Sequence, residues 1–126
     1  MTEKEREIWI GETRYYLGED NIIYVTVVGE VDEKTATSLI EAGLKLANMV
    51  KGKVKTLVDL NKATGQASKA RKLFEEALEY EKADKIAFFG MHPVARVIAS
   101  FTMGISRKED MRFFKTKEEA LKWFKE

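Results

Sequence analysis

The sequence contains no cysteine among its 126 residues. This absence excludes a disulfide framework, a thiolate metal site and a cysteine nucleophile, and it suits a reducing compartment, so we expect a cytoplasmic protein. Histidine is almost absent too, because His92 is the only one, and a metal site with two histidine ligands is therefore excluded. No catalytic or metal-binding motif is present, so we expect neither an enzyme nor a bound metal or cofactor.

Long hydrophobic runs and linker segments are also missing. No stretch approaches the roughly 18 apolar residues that a membrane span needs, so no integral membrane segment is expected. The first residues are largely charged and precede no long apolar run, which argues against a signal peptide. Pro93 is the only proline and there is no internal repeat, so residues 1–126 are predicted to form one domain. The formal net charge of +1 gives no support for binding nucleic acid.

The residues that are present form an alternation of strand and helix patterns. Short β-branched and aromatic runs predict strands, and apolar residues at helical spacing predict helices. The predicted strands cover residues 8–10, 13–17, 22–28, 56–60, 85–90 and 111–114. The predicted helices cover residues 32–52, 66–82, 93–105 and 116–124. The N-terminal strands form an antiparallel hairpin, whereas the later strand–helix–strand units require parallel neighbours, so we predict an α/β fold with a mixed sheet.

Local signals mark the ends of these helices. Asp32 is the predicted N-cap of the first helix, and Gly52 can adopt the left-handed conformation that ends it. Pro93 suits the first turn of the third helix. Thr116 and Glu119 have the spacing of a capping box at the start of the last helix. Three of the four predicted helices therefore have a predicted boundary that does not depend on their packing.

Four segments carry a resemblance to a known family. They are Tyr15-Tyr16 before the hairpin turn, KTLVDL at residues 55–60, AFFGMHPVARVIA at residues 87–99 and EEALKWF at residues 118–124. Together they resemble the SpoIIAA-like proteins, a group related to the STAS domains, over nearly the whole chain. The resemblance implies a single STAS-like domain. STAS domains are mostly non-enzymatic, and the group is structurally related to lipid-carrying Sec14-type domains.

The resemblance also implies a form of regulation that this chain does not match. Some STAS domains are anti-sigma factor antagonists, switched by phosphorylation of a serine in the loop after the central strand. That loop reads roughly Asp-Ser-Ser-Gly in the switching members, whereas this chain has NKATGQAS at residues 61–68. The serine pair is missing and only Thr64 or Ser68 could replace it, so phosphoregulated partner switching is not expected.

Asp59 ends the predicted central strand, where open α/β sheets place their binding sites. Its simplest interpretation is that the carboxylate caps the following loop. The alternative is a receiver-like phosphoacceptor or a small metal-assisted enzyme, which needs further carboxylates to hold Mg²⁺. Glu30 and Asp32 are the candidates, but they follow Gly29 and are better explained as a turn and a cap.

The start of the predicted second helix is a candidate anion site. Thr64 and Ser68 lie there beside Lys62 and Lys69, and the free amides of a helix start attract anions. Ordinary helix capping is the alternative interpretation of the same residues. His92 has two interpretations as well, because it either bonds to backbone at the start of the third helix or lies at the mouth of a pocket.

The third predicted helix is apolar on nearly every side. Val94, Val97 and Phe101 belong to its predicted core stripe, and we expect the helix to be largely covered. Arg96 interrupts the pattern and costs desolvation unless it pairs, reaches solvent or binds an acidic headgroup. Phenylalanine and methionine are abundant around this helix, which indicates either an ordinary core or a pocket for an apolar ligand.

Three functional hypotheses follow. The first is a non-enzymatic STAS-like module that binds a protein partner or an apolar, lipid-like small molecule in a groove beside the third helix. Its candidate ligand-binding residues are Asp59, Thr64, Ser68, His92, Arg96 and Phe101. The second is a phosphoacceptor or metal-assisted enzyme that uses Asp59. The third is a homodimer whose apolar helix face is the interface.

Overall fold

The computed structural model describes residues 3–77, 83–105 and 111–126, without the side chains of residues 3–4, 71, 74–75, 77, 83 and 101–105. A short 3-10 helix, Glu3–Arg6, precedes the sheet. The strands are β1 (Glu7–Ile10), β2 (Thr13–Leu17), β3 (Ile22–Val31), β4 (Val54–Gln66), β5 (Ala83–Phe89) and β6 (Met111–Phe114). The helices are α1 (Glu33–Ala47), α2 (Ser68–Ala77), α3 (Pro93–Ile105) and α4 (Lys117–Phe124).

These strands form one mixed sheet in the order β1-β2-β3-β4-β5-β6. β1, β2 and β3 pair antiparallel, whereas β3, β4, β5 and β6 pair parallel. The change of direction follows from the connections, because two-residue and four-residue turns join the first three strands and helices join the others. The predicted α/β fold with a mixed sheet and an N-terminal hairpin is confirmed.

The helices cover the sheet unequally. The main core packs inner strand residues against Leu39 and Leu46 of α1 and against Ala95 and Ala99 of α3. A smaller core lies on the opposite face, under α4. It contains Leu57, Ala87, Phe89, Ala120, Trp123 and Phe124. Side chains of a strand alternate between faces, so β5 contributes to both cores and is buried on both sides.

β3 and β4 continue beyond their other neighbours as a two-stranded arm, Val28–Val31 paired with Lys62–Gln66. β2 follows β3 only as far as Thr26, and β5 follows β4 only as far as Asp59. The arm contains irregular pairing near Gly29, which has a φ of 81°. The predicted loop at residues 61–68 is therefore wrong, because pairing with β3 keeps this polar stretch extended through Gln66.

The predicted helix caps agree with the structure more closely than the predicted helix lengths do. The Asp32 carboxylate accepts the Thr35 N–H at 2.7 Å, and the Thr116 hydroxyl accepts the Glu119 N–H at 3.3 Å. Both predicted N-caps are confirmed. The predicted end of the first helix is wrong, because α1 ends at Ala47, and Gly52, with a φ of 80°, turns the loop before β4.

α3 buries a different side from the predicted one. Ala95, Ile98 and Ala99 are buried, whereas Val94 and Val97 are 39% and 52% exposed. The small alanine side chains let the helix approach the sheet closely, and a longer side chain there would hold it away. The prediction of a largely covered helix with Val94 and Val97 in its core stripe is therefore wrong.

Candidate functional site

An apolar cavity of about 190 Å³ lies between α1 and the sheet. Its walls are the inner faces of β2, β3, β4 and β5, one face of α1, and Ile98 of α3. The lining from α1 consists of Leu39, Ile40, Gly43, Leu44 and Ala47. Nearly all of the wall is hydrocarbon, so the cavity has the chemical character of a site for an apolar molecule.

Tyr15 and Gly43 bring β2 and α1 together at the cavity wall. A Cβ atom placed on Gly43 would lie 3.3 Å from Cε2 of Tyr15, so the absence of a side chain at Gly43 permits this approach. Burial raises the pKa of Tyr15, which keeps its hydroxyl neutral. The tyrosine ring therefore adds an uncharged aromatic surface to the cavity.

Gln66 is one of the few polar residues in the cavity wall, together with Thr56 and Tyr15. It is the last residue of β4 and pairs with Val31 at the end of the arm. Its Oε1 atom is buried and accepts no hydrogen bond from any residue that the structure describes. A buried acceptor without a donor costs about 1 to 3 kcal/mol, so this atom is a defect unless something else satisfies it. No sequence pattern indicates Gln66, because its burial depends on the arm.

Asp59 lies inside β4 at its last pair with β5, opposite Phe89, and organises the junction beyond that pair. Its Oδ1 accepts the backbone N–H of Asn61 at 2.9 Å and the Asn61 side-chain amide at 3.0 Å. The Oδ1 of Asn61 then accepts the N–H of Met91 at 3.0 Å. The interpretation of Asp59 as the cap of the following segment is confirmed, whereas no sequence pattern indicates the role of Asn61.

His92 joins the same junction to α3. One ring nitrogen, Nδ1, accepts the N–H of Ala95 at 3.3 Å. The other, Nε2, lies 2.9 Å from the carbonyl oxygen of Leu60 and so carries the proton that it donates. Of its two predicted roles, the backbone-bonding role at the helix start is confirmed.

The predicted anion site is dispersed. Thr64 lies on the arm and Ser68 is the first residue of α2, and both are exposed. Lys69, expected to help hold an anion, lies 3.9 Å from the carboxylate of Glu33. The expectation that Thr64 marks the start of a helix is wrong, because β4 continues through Thr64 to Gln66.

Arg96 and Phe101 lie on α3. Arg96 does not belong to the cavity wall. The Arg96 side chain is exposed, and its guanidinium lies 5.8 Å from the centre of the Phe113 ring. It therefore reaches solvent while contacting an aromatic face, and no desolvation cost arises. The Phe101 side chain lies outside the described residues. Of the predicted binding residues, none with a described side chain lines the apolar cavity.

An exposed apolar surface lies at the start of α3. Met91 is 73% exposed, and Val94 and Val97 follow it at helical spacing. Val94 and Val97 lie three residues apart in α3 and Met91 lies two residues before its first residue, Pro93, and we name these three exposed residues the α3 surface. The sequence pattern predicts that these valines are buried, whereas the structure buries the alanine side of the helix instead.

A polar groove of about 630 Å³ lies on the other face of the sheet, beside α4. Tyr16 and Tyr24 pair across β2 and β3, with Arg14 over the first ring at 4.7 Å and Lys117 over the second at 5.3 Å. The Tyr24 hydroxyl donates to Asp20 at 2.6 Å. Burial, and then this carboxylate, raises the pKa of Tyr24 to about 12. The groove is mixed in charge, and its cations are already placed over aromatic faces.

The carboxylates proposed for a receiver-like site do not meet. Within residues 3–77, 83–105 and 111–126, no three His, Asp or Glu side chains are grouped so that they could hold a metal ion. Glu30, Asp32 and Asp59 all belong to these ranges. In the same part of the chain, no helix is both long enough and apolar enough to cross a membrane.

The arrangement of strands and helices is that of the SpoIIAA-like fold. The chain is similar to an uncharacterised protein of the DUF3478 family with a SpoIIAA-like fold from Shewanella loihica PV-4, at 18% identity and a TM-score of 0.59 over 88% of this chain and 90% of that one. It is also similar to the unphosphorylated anti-sigma factor antagonist SpoIIAA, at 13% identity and a TM-score of 0.60 over 90% of this chain and 97% of that one. At such identities the likeness establishes the fold alone, which confirms the predicted class.

A family model matches residues 15–126, and the chain belongs to this family, DUF7793, described as a domain of unknown function. No curated protein matches the sequence. The function of this chain is therefore inferred from the cavity and the residues around it.

Proposed function

We propose that this protein is a non-enzymatic binding module that holds a small apolar or amphipathic molecule in the cavity between α1 and the sheet. The observation that carries the proposal is the cavity itself, which is apolar and measures about 190 Å³. Protein interiors are close-packed, with few voids larger than a water molecule. A space of this size and lining is therefore an exception that a ligand explains.

The energetic cost of an empty cavity supports the same proposal. Unfilled space in a core lowers stability because its lining loses van der Waals contacts, by about 24 cal/mol per Å³ where the space is fully enclosed. The net stability of an ordinary domain is only about 5 to 15 kcal/mol. Water relieves little of this cost, because the walls offer it few hydrogen bonds. An apolar ligand removes the cost and shields its own surface from water.

The alternative of a phosphoacceptor or metal-assisted enzyme receives less support. The Oδ1 atom of Asp59 is engaged by Asn61, and Glu30 and Asp32 do not join it in a metal-holding group. The segment that corresponds to the switching loop of an anti-sigma factor antagonist is strand as far as Gln66. These features support a binding role without catalysis, for which no cofactor is needed.

Filling the cavity tests the proposal. Ala47→Leu adds apolar volume to the cavity wall from the last turn of α1, so the variant should gain about 0.5 to 2 kcal/mol of stability and lose uptake of 1-octanol. Lys45→Leu places the same side chain on the exposed side of that turn and should leave uptake unchanged. Calorimetric titration and thermal denaturation provide the two measurements. Wild-type protein that takes up no 1-octanol, or Ala47→Leu protein that still does, would refute the site.

The α3 surface favours a second candidate function, association with another copy of this chain. Met91, Val94 and Val97 place apolar side chains together in solvent, as interaction surfaces do. Val97→Lys should lower the mass measured by light scattering from dimer to monomer without loss of stability, since the side chain is half-exposed. Ser100→Lys, on an exposed position of the same helix, is the matched control. A wild-type protein that is monomeric at high concentration removes this candidate.

A further inference from the structure

The polar groove beside α4 is a second candidate site, separate from the apolar cavity, because the two lie on opposite faces of the sheet. We propose that this groove binds a neutral sugar ring, that is, a six-membered ring that carries several hydroxyl groups. The groove is independent of the function proposed for the cavity and takes a ligand of another chemical class. The arrangement of its lining in two rows carries the proposal.

The groove exists because α4 covers only part of its face of the sheet. This helix packs on β4, β5 and β6, and the same face of β2 and β3 continues beside it. The groove of about 630 Å³ lies along that boundary, and side chains of β2, β3 and β4 form its floor. Sites for small molecules usually measure about 300 to 1,000 Å³, so the groove has room for one sugar unit.

One row of the floor is polar. The strand pairing places Arg14 beside Thr26, and Thr26 beside Asp59. Neighbouring strands lie about 4.8 Å apart, so these three residues span about 10 Å across the sheet. Arg14 supplies donors, Asp59 supplies acceptors, and the Thr26 hydroxyl is both donor and acceptor. The hydroxyl groups of a sugar also donate and accept, so they can bond to every member of this row.

Arg14 and Asp59 retain hydrogen-bonding capacity for a ligand. Within the described residues, both hydrogen bonds to the Asp59 carboxylate end at Oδ1, which leaves Oδ2 as an acceptor. The ion pair of Arg14 with Glu7 uses Nε, so in the same part of the chain its terminal nitrogens keep their donors. Hydrogen bonds to such charged groups are about twice as strong as those between neutral groups.

The neighbouring row is aromatic and apolar. Tyr16 pairs with Tyr24, and Tyr24 pairs with Leu57. The centres of the two tyrosine rings are 6.5 Å apart. This row lies two residues along the strands from the polar row, a distance of about 7 Å. A sugar ring with its hydroxyl groups has a similar width, so its C–H groups can contact the aromatic row while its hydroxyl groups meet the polar row.

The charges in the lining disfavour an ionic ligand. The groove contains two cationic and three anionic side chains, which are Arg14, Lys117, Glu19, Asp20 and Asp59. An anionic ligand meets the carboxylates, and a cationic ligand meets Arg14 and Lys117, which lie 4.7 Å and 5.3 Å from the tyrosine ring centres. An apolar ligand would desolvate these charges without pairing them. A neutral molecule with many hydroxyl groups avoids all three costs.

Neutral and charged ring compounds test the ligand class in the wild-type protein. Methyl β-D-glucopyranoside, methyl β-D-galactopyranoside and methyl α-D-mannopyranoside are titrated while backbone amide shifts are followed by NMR. At least one should bind with a dissociation constant on the order of 1 mM, with shifts at Tyr24 and Thr26. Cyclohexanecarboxylate and cyclohexylammonium should bind at least about tenfold more weakly than that sugar. If none of the three sugars shifts these amides, or if a charged ring binds more tightly than all of them, the proposal is wrong.

Thr26→Val tests the polar row. The variant keeps the branched shape and removes the hydroxyl, so sugar affinity should fall about fivefold to tenfold. Thr56→Val makes the same change at a residue that lines the apolar cavity, and it should leave sugar affinity unchanged. Equal sugar affinity in wild type and Thr26→Val excludes the polar row as the binding element. Uptake of 1-octanol should persist in Thr26→Val, and its absence from wild type would concern the cavity alone.

Tyr16 tests the aromatic row. Tyr16→Leu removes the ring and should lower sugar affinity about fivefold, whereas Tyr16→Phe keeps the ring and should retain most of the affinity. Thermal denaturation of both variants shows whether the fold is intact. A folded Tyr16→Leu protein with wild-type sugar affinity excludes the contact with the aromatic row.

Discussion

The side chain of Asn61 accepts a hydrogen bond from the backbone N–H of Met91 at 3.0 Å and so ties β4, just beyond its last pair with β5, to the segment that leads into α3. Asp59 holds Asn61 in place through two further hydrogen bonds. The exit from β5 and the direction of α3 therefore depend on a polar connection of three residues. This junction lies beyond the point where β5 ceases to pair with β4.

Removing this connection should destabilise the fold. In Asn61→Ala the Met91 N–H loses its acceptor and Asp59 loses the side-chain amide donor but keeps the backbone N–H of residue 61, so we expect a loss of about 1 to 2 kcal/mol in the free energy of unfolding. Chemical denaturation measures the loss. Asn61→Asp should also destabilise, since it places a second carboxylate beside Asp59, and adding Asp59→Asn should restore part of the stability. The exposed neighbour Lys62, changed to Ala, is the control and should stay within about 0.5 kcal/mol of wild type.

Gly90 is required by the close approach of α3. A Cβ atom at this position would lie 2.5 Å from Cβ of Ala95, closer than two carbon atoms can come. Gly90→Ala should therefore cost about 1 to 3 kcal/mol, because the first turn of α3 must move away from the sheet. Adding Ala95→Gly should relieve the clash and recover part of that loss in a double-mutant cycle.

The matched control for this prediction is Gly65→Ala. A Cβ at Gly65 would meet nothing closer than Cγ of Glu30 at 3.9 Å, which is ordinary contact, so this variant should be nearly neutral. Equal effects of the two alanine substitutions would contradict the steric explanation of Gly90.

Acid should weaken the cap of α1. The hydrogen bond from the Thr35 N–H lowers the pKa of Asp32 below its ordinary value of 3.8. A carboxyl group with a lowered folded-state pKa stabilises the fold above its unfolded-state pKa, and this contribution disappears as the pH falls through the folded-state value. Asp32→Asn keeps an acceptor for Thr35 but cannot ionise. As the pH falls from about 6 to about 3, the wild type should therefore lose more stability than Asp32→Asn does. A difference that stays constant across that range, measured by urea denaturation, would exclude this linkage.

The sequence by itself determined the order of the elements, the mixed sheet and the helix caps. These features depend on short-range signals, such as the continuous apolar run at residues 86–89 and the side chains of Asp32 and Thr116, which bond to amides three residues away. The capping role of Asp59 and the backbone-bonding role of His92 were also accessible, although Asp59 lies inside β4 and does not end it as predicted.

Only the tertiary structure decided the rest. Residues 61–66 are too polar to predict a strand, and they become one because β3 supplies hydrogen-bond partners beyond the main sheet. The buried side of α3 was decided by how closely Ala95 and Ala99 let it approach, which made Val94 and Val97 surface residues. The cavity has no sequence signal at all, because it is the space left between surfaces that many distant residues build. Gln66 acquires its unsatisfied acceptor for the same reason, since the arm brings it into the wall of that space.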